Sequence, residues 1–234
     1  MPDVLLLHPE AKVVTNKKCS QMLMDLLHIE AERFIVIEDG EVLSLGDKTL
    51  EFIFTPWVHW PETLSTYLKE DKILFSCDFF GAHLATSDLF VKDKSSVCNS
   101  AKRYYGEIMM PFRGPIRKNI ERLEGLDFQM IAPSHGPVYD EPDFIIDAYK
   151  DWVREDVKNE VVVAYVSMHN STLKMVDHLV NALVERDVEV KRYNLADFDT
   201  GEFVMDLVDA ATLVIGTPQV LAGVHPLAAY AAML

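Results

Sequence analysis

Three polar side chains stand just beyond the ends of three apolar runs. His59 follows "EFIFTPWV", Asp78 follows "KILFSC" and His135 follows "FQMIAPS". Strand ends of this kind are where loops collect ligands over a rigid sheet. Imidazole and carboxylate donors without thiolate suit zinc, iron or manganese. A carboxylate carried between two histidine loops can bridge two ions, because each of its oxygens can take one. On spacing alone, three satisfied loop residues are the plainer account, and both accounts stay open at this level. In "FTPWVHWPETLST" the imidazole lies between two tryptophans, which are expected to be buried and to wall and dry a site around His59.

A second chemical signal is "YVSMHNST", Tyr165 to Thr172, which joins an apolar strand to a helical pattern. A loop rich in hydroxyl and amide groups at a helix start aims backbone N–H groups at a phosphate. Ser167, His169, Asn170, Ser171 and Thr172 are the residues so placed. An ordinary N-capping Ser/Thr run explains the same letters equally well.

Alternation and turn signals predict a β-rich first half that positions these loops. Its strands are "KVVTN", "RFIVIEDGEVLSLG" with a hairpin turn at Asp39-Gly40, "LEFIFTP", "KILFSCD" and "FQMIAPSHG". Helices are expected over 17–28, over 100–123 with a break near Met110-Pro111, and from Asp143 to about Val157. From Glu160 the pattern changes. "EVVVAYVS" is a continuous apolar run, as a strand buried on both faces requires, and a helix, strand, helix and strand follow, giving βαβαβ. The expected organisation is one domain over 1–155 and a second over 159–234, separated by the charged "VREDVKN". Both ends read as cut: "HPLAAYAAML" has no capping signal after it, and three parallel strands leave an edge and a face uncovered.

The 234 residues are 49% apolar and 25% charged, enough to bury a sizeable core. A net charge of −15, without clusters of Lys and Arg, excludes nucleic acid and disfavours anionic lipid. Cys19, Cys77 and Cys98 are odd in number and lack CxxC spacing, so neither a disulfide framework nor a thiolate zinc site is expected. No signal or membrane-spanning stretch is legible, which makes the expected localisation cytoplasmic.

"TPWVHWPET", "LFSCDFFGAH" and "MIAPSHGPVY", in this order and ahead of the βαβαβ half, resemble the later ligand loops and second domain of the flavo-diiron proteins, also called A-type flavoproteins. The resemblance implies an α/β fold class: a partial metallo-β-lactamase-like αββα sandwich plus a partial flavodoxin-like doubly wound parallel sheet. It also implies FMN and two non-haem iron ions. His59 resembles a ligand of one iron, Asp78 the carboxylate bridging both, and His135 a ligand of the other. His83 resembles the pocket histidine near the substrate. "YVSMHNST" is similar to the FMN-phosphate loop, and "GTPQVLAGVHP" to the loop beside the isoalloxazine ring, where Thr217, Gln219 and Gly223 would lie. The family's first metal motif, His-x-Glu-x-Asp-His, has no counterpart in this sequence, so the chain resembles an incomplete member.

The implied chemistry is reduction of dioxygen to water or of nitric oxide to nitrous oxide. Rubredoxin or a reduced deazaflavin would supply electrons through FMN, in a head-to-tail homodimer or larger assembly. Two other outcomes are compatible with the residues: a metallo-β-lactamase-class hydrolase, which would use zinc, and a non-catalytic truncated product.

Overall fold

The computed structural model describes residues 1–234. In chain order its elements are α1 (Pro2–Leu7), β1 (Val13–Asn16), α2 (Lys17–Leu27), β2 (Phe34–Ile37), β3 (Val42–Ser44), β4 (Thr49–Phe54), β5 (Leu64–Leu68) and β6 (Ile73–Cys77). Then come α3 (Lys94–Tyr104), α4 (Arg113–Leu123), β7 (Met130–Pro133), α5 (Asp143–Trp152), β8 (Lys158–Tyr165), α6 (Ser171–Val184) and β9 (Glu189–Asn194). The last are α7 (Thr200–Leu207), β10 (Ala210–Gly216), β11 (Gln219–Val220), β12 (Gly223–Val224) and α8 (Pro226–Ala231). No helix is long and apolar enough to cross a membrane. The chain divides into two compact units, residues 1–98 with 112–149, and residues 99–111 with 150–234.

In the first unit, five strands form one sheet in the order β3-β4-β5-β6-β7. The first three pairings are antiparallel and β6 runs parallel to β7. Since β5 opposes both β4 and β6, the C-terminal ends of β4, β6 and β7 all reach the same border of the sheet. The loops that follow these three ends carry His59, Asp78 and His135. β5, which sequence reasoning did not identify, makes this possible. Its pattern is a regular alternation, with Ser65 and Tyr67 buried, and it supplies the antiparallel return between β4 and β6.

The hairpin expected at Asp39-Gly40 is not formed. β2 pairs in parallel with β1, and β3 pairs with β4. The turn instead serves the sheet edge: Gly40 N–H donates to the Phe52 carbonyl at 2.7 Å, and the Asp39 carboxylate accepts from Phe54 N–H at 2.8 Å. The helix expected from residue 100 begins at Lys94, because the Asp93 carboxylate caps it by accepting from the Ser95 and Ser96 amides at 3.0 and 3.1 Å. It widens to a π-helix over Tyr105–Met109 and tightens over Met110–Phe112 before α4, so the break does fall at Pro111. α5 stops at Trp152, short of the expected Val157.

The second unit is built on a parallel sheet ordered β10-β8-β9. In order of the chain that is 2-1-3, the start of a flavodoxin-like doubly wound sheet. Val161 to Val166 on β8 and its C-terminal edge are all buried. Alternate side chains serve the two faces: Val161, Val163 and Tyr165 pack with Val176 of α6, whereas Val162, Ala164 and Val166 pack with Phe203 and Val204 of α7 and Ala228 of α8. The α/β expectation of a partial αββα unit plus a partial doubly wound sheet is borne out.

Glu160, at the base of β8, is 6% exposed. Burial pushes its carboxyl above the ordinary range, with Lys191 pulling it back and Glu189, Asp206 and Asp209 adding to the rise. A carboxyl raised in the folded state favours folding while protonated, and that contribution is lost as pH rises through the folded value. Glu160→Gln is therefore expected to raise the melting temperature of this unit at neutral pH and to lose that advantage at acid pH. Thermal melts of both proteins at pH 4 and pH 7.5 check the sign.

Candidate functional site

The His59 loop is a closed excursion between β4 and β5. Trp57 N–H donates to the Trp60 carbonyl at 2.8 Å, the Thr63 hydroxyl donates to the same carbonyl at 2.8 Å, and Thr55 N–H donates to the Thr63 carbonyl at 3.0 Å. Below it, α4 grips the backbone. The buried Asn119 side chain donates to the Pro56 carbonyl at 2.9 Å, and Arg122 donates to the Phe54 carbonyl at 3.2 Å while also pairing with Asp39. The Val58–His59 peptide is cis. The tryptophans expected to be buried are not: Trp57 is 44% and Trp60 50% exposed, and Val58 is the side chain that anchors the loop in the core. Trp57 stacks on Phe112 with centroids 5.8 Å apart, and the Trp60 ring is tilted beside His59 at 6.2 Å.

Asp78 begins a tight turn after β6. Gly81 N–H donates to the Asp78 carbonyl at 3.1 Å, and the Ser76 hydroxyl donates to the Phe79 carbonyl at 2.6 Å. Phe79 and Phe80 stack at 3.9 Å and lie edge-on to Tyr149, all three fully buried or nearly so. The Tyr139 hydroxyl donates to the Phe80 carbonyl at 2.7 Å. Burial pushes this phenol well above its ordinary range, so it remains a neutral donor. The turn is thus fixed by aromatic burial, which holds the Asp78 carboxylate at the surface end of the sheet.

The two histidines meet opposite oxygens of that carboxylate. His59 Nε2 lies 3.5 Å from Oδ2, and His135 Nε2 lies 3.7 Å from Oδ1. Both separations are too long for hydrogen bonds. Two donors of one tetrahedral ion with bonds of about 2.1 Å stand about 3.4 Å apart, close to what each pair shows. No three His, Cys, Asp or Glu side chains converge on a single point. Each imidazole and its facing Asp78 oxygen thus have the spacing of two donors to one cation, and neither pair completes a coordination shell. His83 is exposed, its ring 4.7 Å from that of His135. Beside Asp78 an apolar groove of about 500 Å³ is lined by Val14, Met22, Leu23, Leu26 and Trp60, a feature that sequence reasoning did not anticipate.

In the second unit, the Ser167 hydroxyl accepts from Leu173 N–H at 3.2 Å, and Lys174 N–H donates to the Asn170 carbonyl at 3.0 Å. Asn170 occupies the cap position with φ 63° and its side chain makes no capping bond. The amides of Ser171 and Thr172 open the helix and have no intrahelical acceptor. His169, Asn170 and Ser171 are exposed beside them. Thr217 is committed locally: its hydroxyl donates to the Pro218 carbonyl at 3.0 Å and accepts from His225 N–H at 3.2 Å. Gln219 and Gly223 lie on the small antiparallel β11–β12 hairpin, where the left-handed residues are Leu221 and Ala222 rather than Gly223.

A family model described as ODP family beta lactamase matches residues 1–136. The chain belongs to the ODP beta-lactamase family. The chain is 34% identical over 229 residues to a protein of Moorella thermoacetica named nitric oxide reductase, covering 94% of this chain and 56% of that protein. Among solved structures, rubredoxin oxygen:oxidoreductase from Desulfovibrio gigas matches with a TM-score of 0.93 at 26% identity, over 99% of this chain and 60% of that one. The flavodiiron protein of Giardia intestinalis matches with a TM-score of 0.89 at 29% identity, over 97% of this chain and 58% of its own. This ODP beta-lactamase chain thus spans little more than half the length of these relatives.

Proposed function

We propose that this ODP beta-lactamase chain forms part of a flavodiiron oxidoreductase, in which His59, Asp78 and His135 hold two non-haem irons and the loop after β8 holds FMN. When bound, these groups supply the electrons that reduce dioxygen to water or nitric oxide to nitrous oxide. The observation that carries the proposal is the division of one carboxylate between two imidazoles, Oδ2 facing His59 and Oδ1 facing His135. A bridged pair needs that division, and a single-ion site does not.

The chain's own part is to position donors and control access. The antiparallel return of β5 brings the three ligand loops to one border of the sheet. His83, exposed and against the His135 ring, is placed to hydrogen-bond to a small molecule at the centre or hand it a proton. In the second unit, the free first-turn amides of α6 and the Ser167 proton are donors for the FMN phosphate. The 2-1-3 strand order puts this loop at the carboxyl end of β8, next to the reversal in strand order where ligands of such sheets bind. Gln219 and Gly223, on the exposed hairpin after β10, are assigned to the isoalloxazine side, with Thr217 holding the hairpin's base. The electron donor would be rubredoxin or a reduced deazaflavin.

Metal and flavin analysis of the purified protein, followed by anaerobic nitric oxide and aerobic dioxygen consumption with chemically reduced FMN, tests the proposal. Iron and FMN bound together, with consumption lost in His135→Ala, is expected. A zinc-dependent ester or lactam hydrolysis rate without flavin would contradict it.

A further inference from the structure

Two glycines lie where the loops of Asp78 and His135 meet. A Cβ built on Gly81 would stand 2.5 Å from Cε1 and 2.8 Å from Nδ1 of the His135 ring, and 3.0 Å from the Asp78 carbonyl oxygen. One built on Gly136, which has φ +89°, would stand 2.9 Å from the Ala82 carbonyl oxygen and 3.1 Å from Ala82 Cβ. Close-packed interiors do not admit carbon atoms at such distances without displacement. Each loop therefore fills the space above the other's glycine: the His135 ring over Gly81, and the Ala82 backbone over Gly136. Hydrogen bonds close the seam, from Ala82 N–H to the His135 carbonyl at 3.2 Å and from Ser134 N–H to the Cys77 carbonyl at 2.7 Å. Phe79 and Phe80, stacked and buried against Tyr149, keep the Gly81 loop from retreating. The His135 ring is the neighbour that can move.

We infer that Gly81 is a positioning residue whose missing Cβ sets His135 Nε2 at 3.7 Å from Asp78 Oδ1, and so fixes one half of the shared carboxylate independently of the other. His59 reaches Oδ2 from the β4–β5 loop, and none of the atoms nearest to the Gly81 Cβ position belongs to that loop. The consequence for metal rests on the proposed two-ion centre; the steric relation between Gly81 and His135 does not.

The test is NMR of the full 234-residue chain labelled with 15N-histidine, without metal and then with Zn(II) as the probe. In Gly81→Ala, the metal-free resonances of His135 and of the adjoining His83 are expected to shift while those of His59 stay in place. On adding Zn(II), His59 is expected to respond as in the parent protein and His135 to respond no longer. Unshifted His135 resonances in folded Gly81→Ala overturn the inference. If neither His59 nor His135 of the parent responds to Zn(II), the two-ion centre is what fails, and the metal-free spectra still decide the role of Gly81. Should Gly81→Ala not fold, a His135→Ala background decides instead. With the ring removed, the two nearest approaches are gone while the Asp78 carbonyl oxygen stays at 3.0 Å, and the double variant is expected to recover most of the lost melting temperature. A double variant as unfolded as the single one overturns the inference.

Discussion

Asp78→Ala is expected to weaken metal binding at both positions together, by at least about 100-fold in each, since outer partners of ligands alone change affinity by 10- to 100-fold and this residue would be a direct ligand. His59→Ala and His135→Ala are each expected to weaken one position and leave the other measurable. The asymmetry follows from geometry: Asp78 offers Oδ2 at 3.5 Å to one imidazole and Oδ1 at 3.7 Å to the other. Calorimetric titration of the three variants with Fe(II) or Zn(II) separates the patterns. If Asp78→Ala removed one ion and spared the other, the carboxylate would be an ordinary terminal ligand.

The second large effect concerns stability. Asp209, 8% exposed, accepts from Lys102 Nζ and Lys158 Nζ at 2.8 Å each. Burial pushes its carboxyl up, but the two ammoniums outweigh burial and hold it below the ordinary carboxylate range. Through Lys102 this carboxylate ties the segment 99–111 into the second unit, and through Lys158 it holds the start of β8.

Asp209→Ala leaves two ammoniums facing each other. Removing one member of a buried pair costs about 3–5 kcal/mol. Lys158 is 48% exposed and solvent screens it, which reduces the expected loss to about 2–3 kcal/mol. For a unit of this size that corresponds to roughly 10 °C or more in melting temperature. Because the folded carboxyl is depressed, its stabilisation is complete above the unfolded value and disappears as pH falls through the folded one. The gap between parent and variant is therefore expected to close in acid. A gap independent of pH would point to lost packing rather than lost charge.

Much of this was legible in the sequence because the signals were local and periodic. The run "EVVVAYVS" has the continuous apolar character that a strand buried on both faces needs, and β8 is such a strand, with its alternate residues feeding two helical layers. The loops of His59, Asp78 and His135 are marked by apolar runs that end in a polar side chain, and the structure brings the two imidazoles to the Asp78 carboxylate. What escaped depended on distant pairing. Nothing within "FIVIEDGEVL" says that its first strand prefers the parallel edge of Val13–Asn16 to its own hairpin partner. β5 has only a five-residue alternation, and its importance lies in reversing direction between β4 and β6.

Trp57 and Trp60 are exposed for a related reason. Composition marked them as core, whereas the loop is anchored through Val58 and through α4, by Asn119 and Arg122. The glycines of "DFFGAH" and "SHG" stand beside Asp78 and His135 in the sequence, yet their interlock is a three-dimensional fact: each leaves space for the other's loop. Thr217, read as a flavin contact, has a hydroxyl already engaged with His225 and Pro218, a commitment that spacing cannot reveal.

The most direct test of the shared carboxylate is anomalous diffraction at the iron edge from crystals of the iron-loaded protein. Two iron peaks are predicted, one within bonding distance of Asp78 Oδ2 and His59 Nε2, the other within bonding distance of Asp78 Oδ1 and His135 Nε2. A single peak at Asp78, or iron bound elsewhere with none at Asp78, would contradict the account.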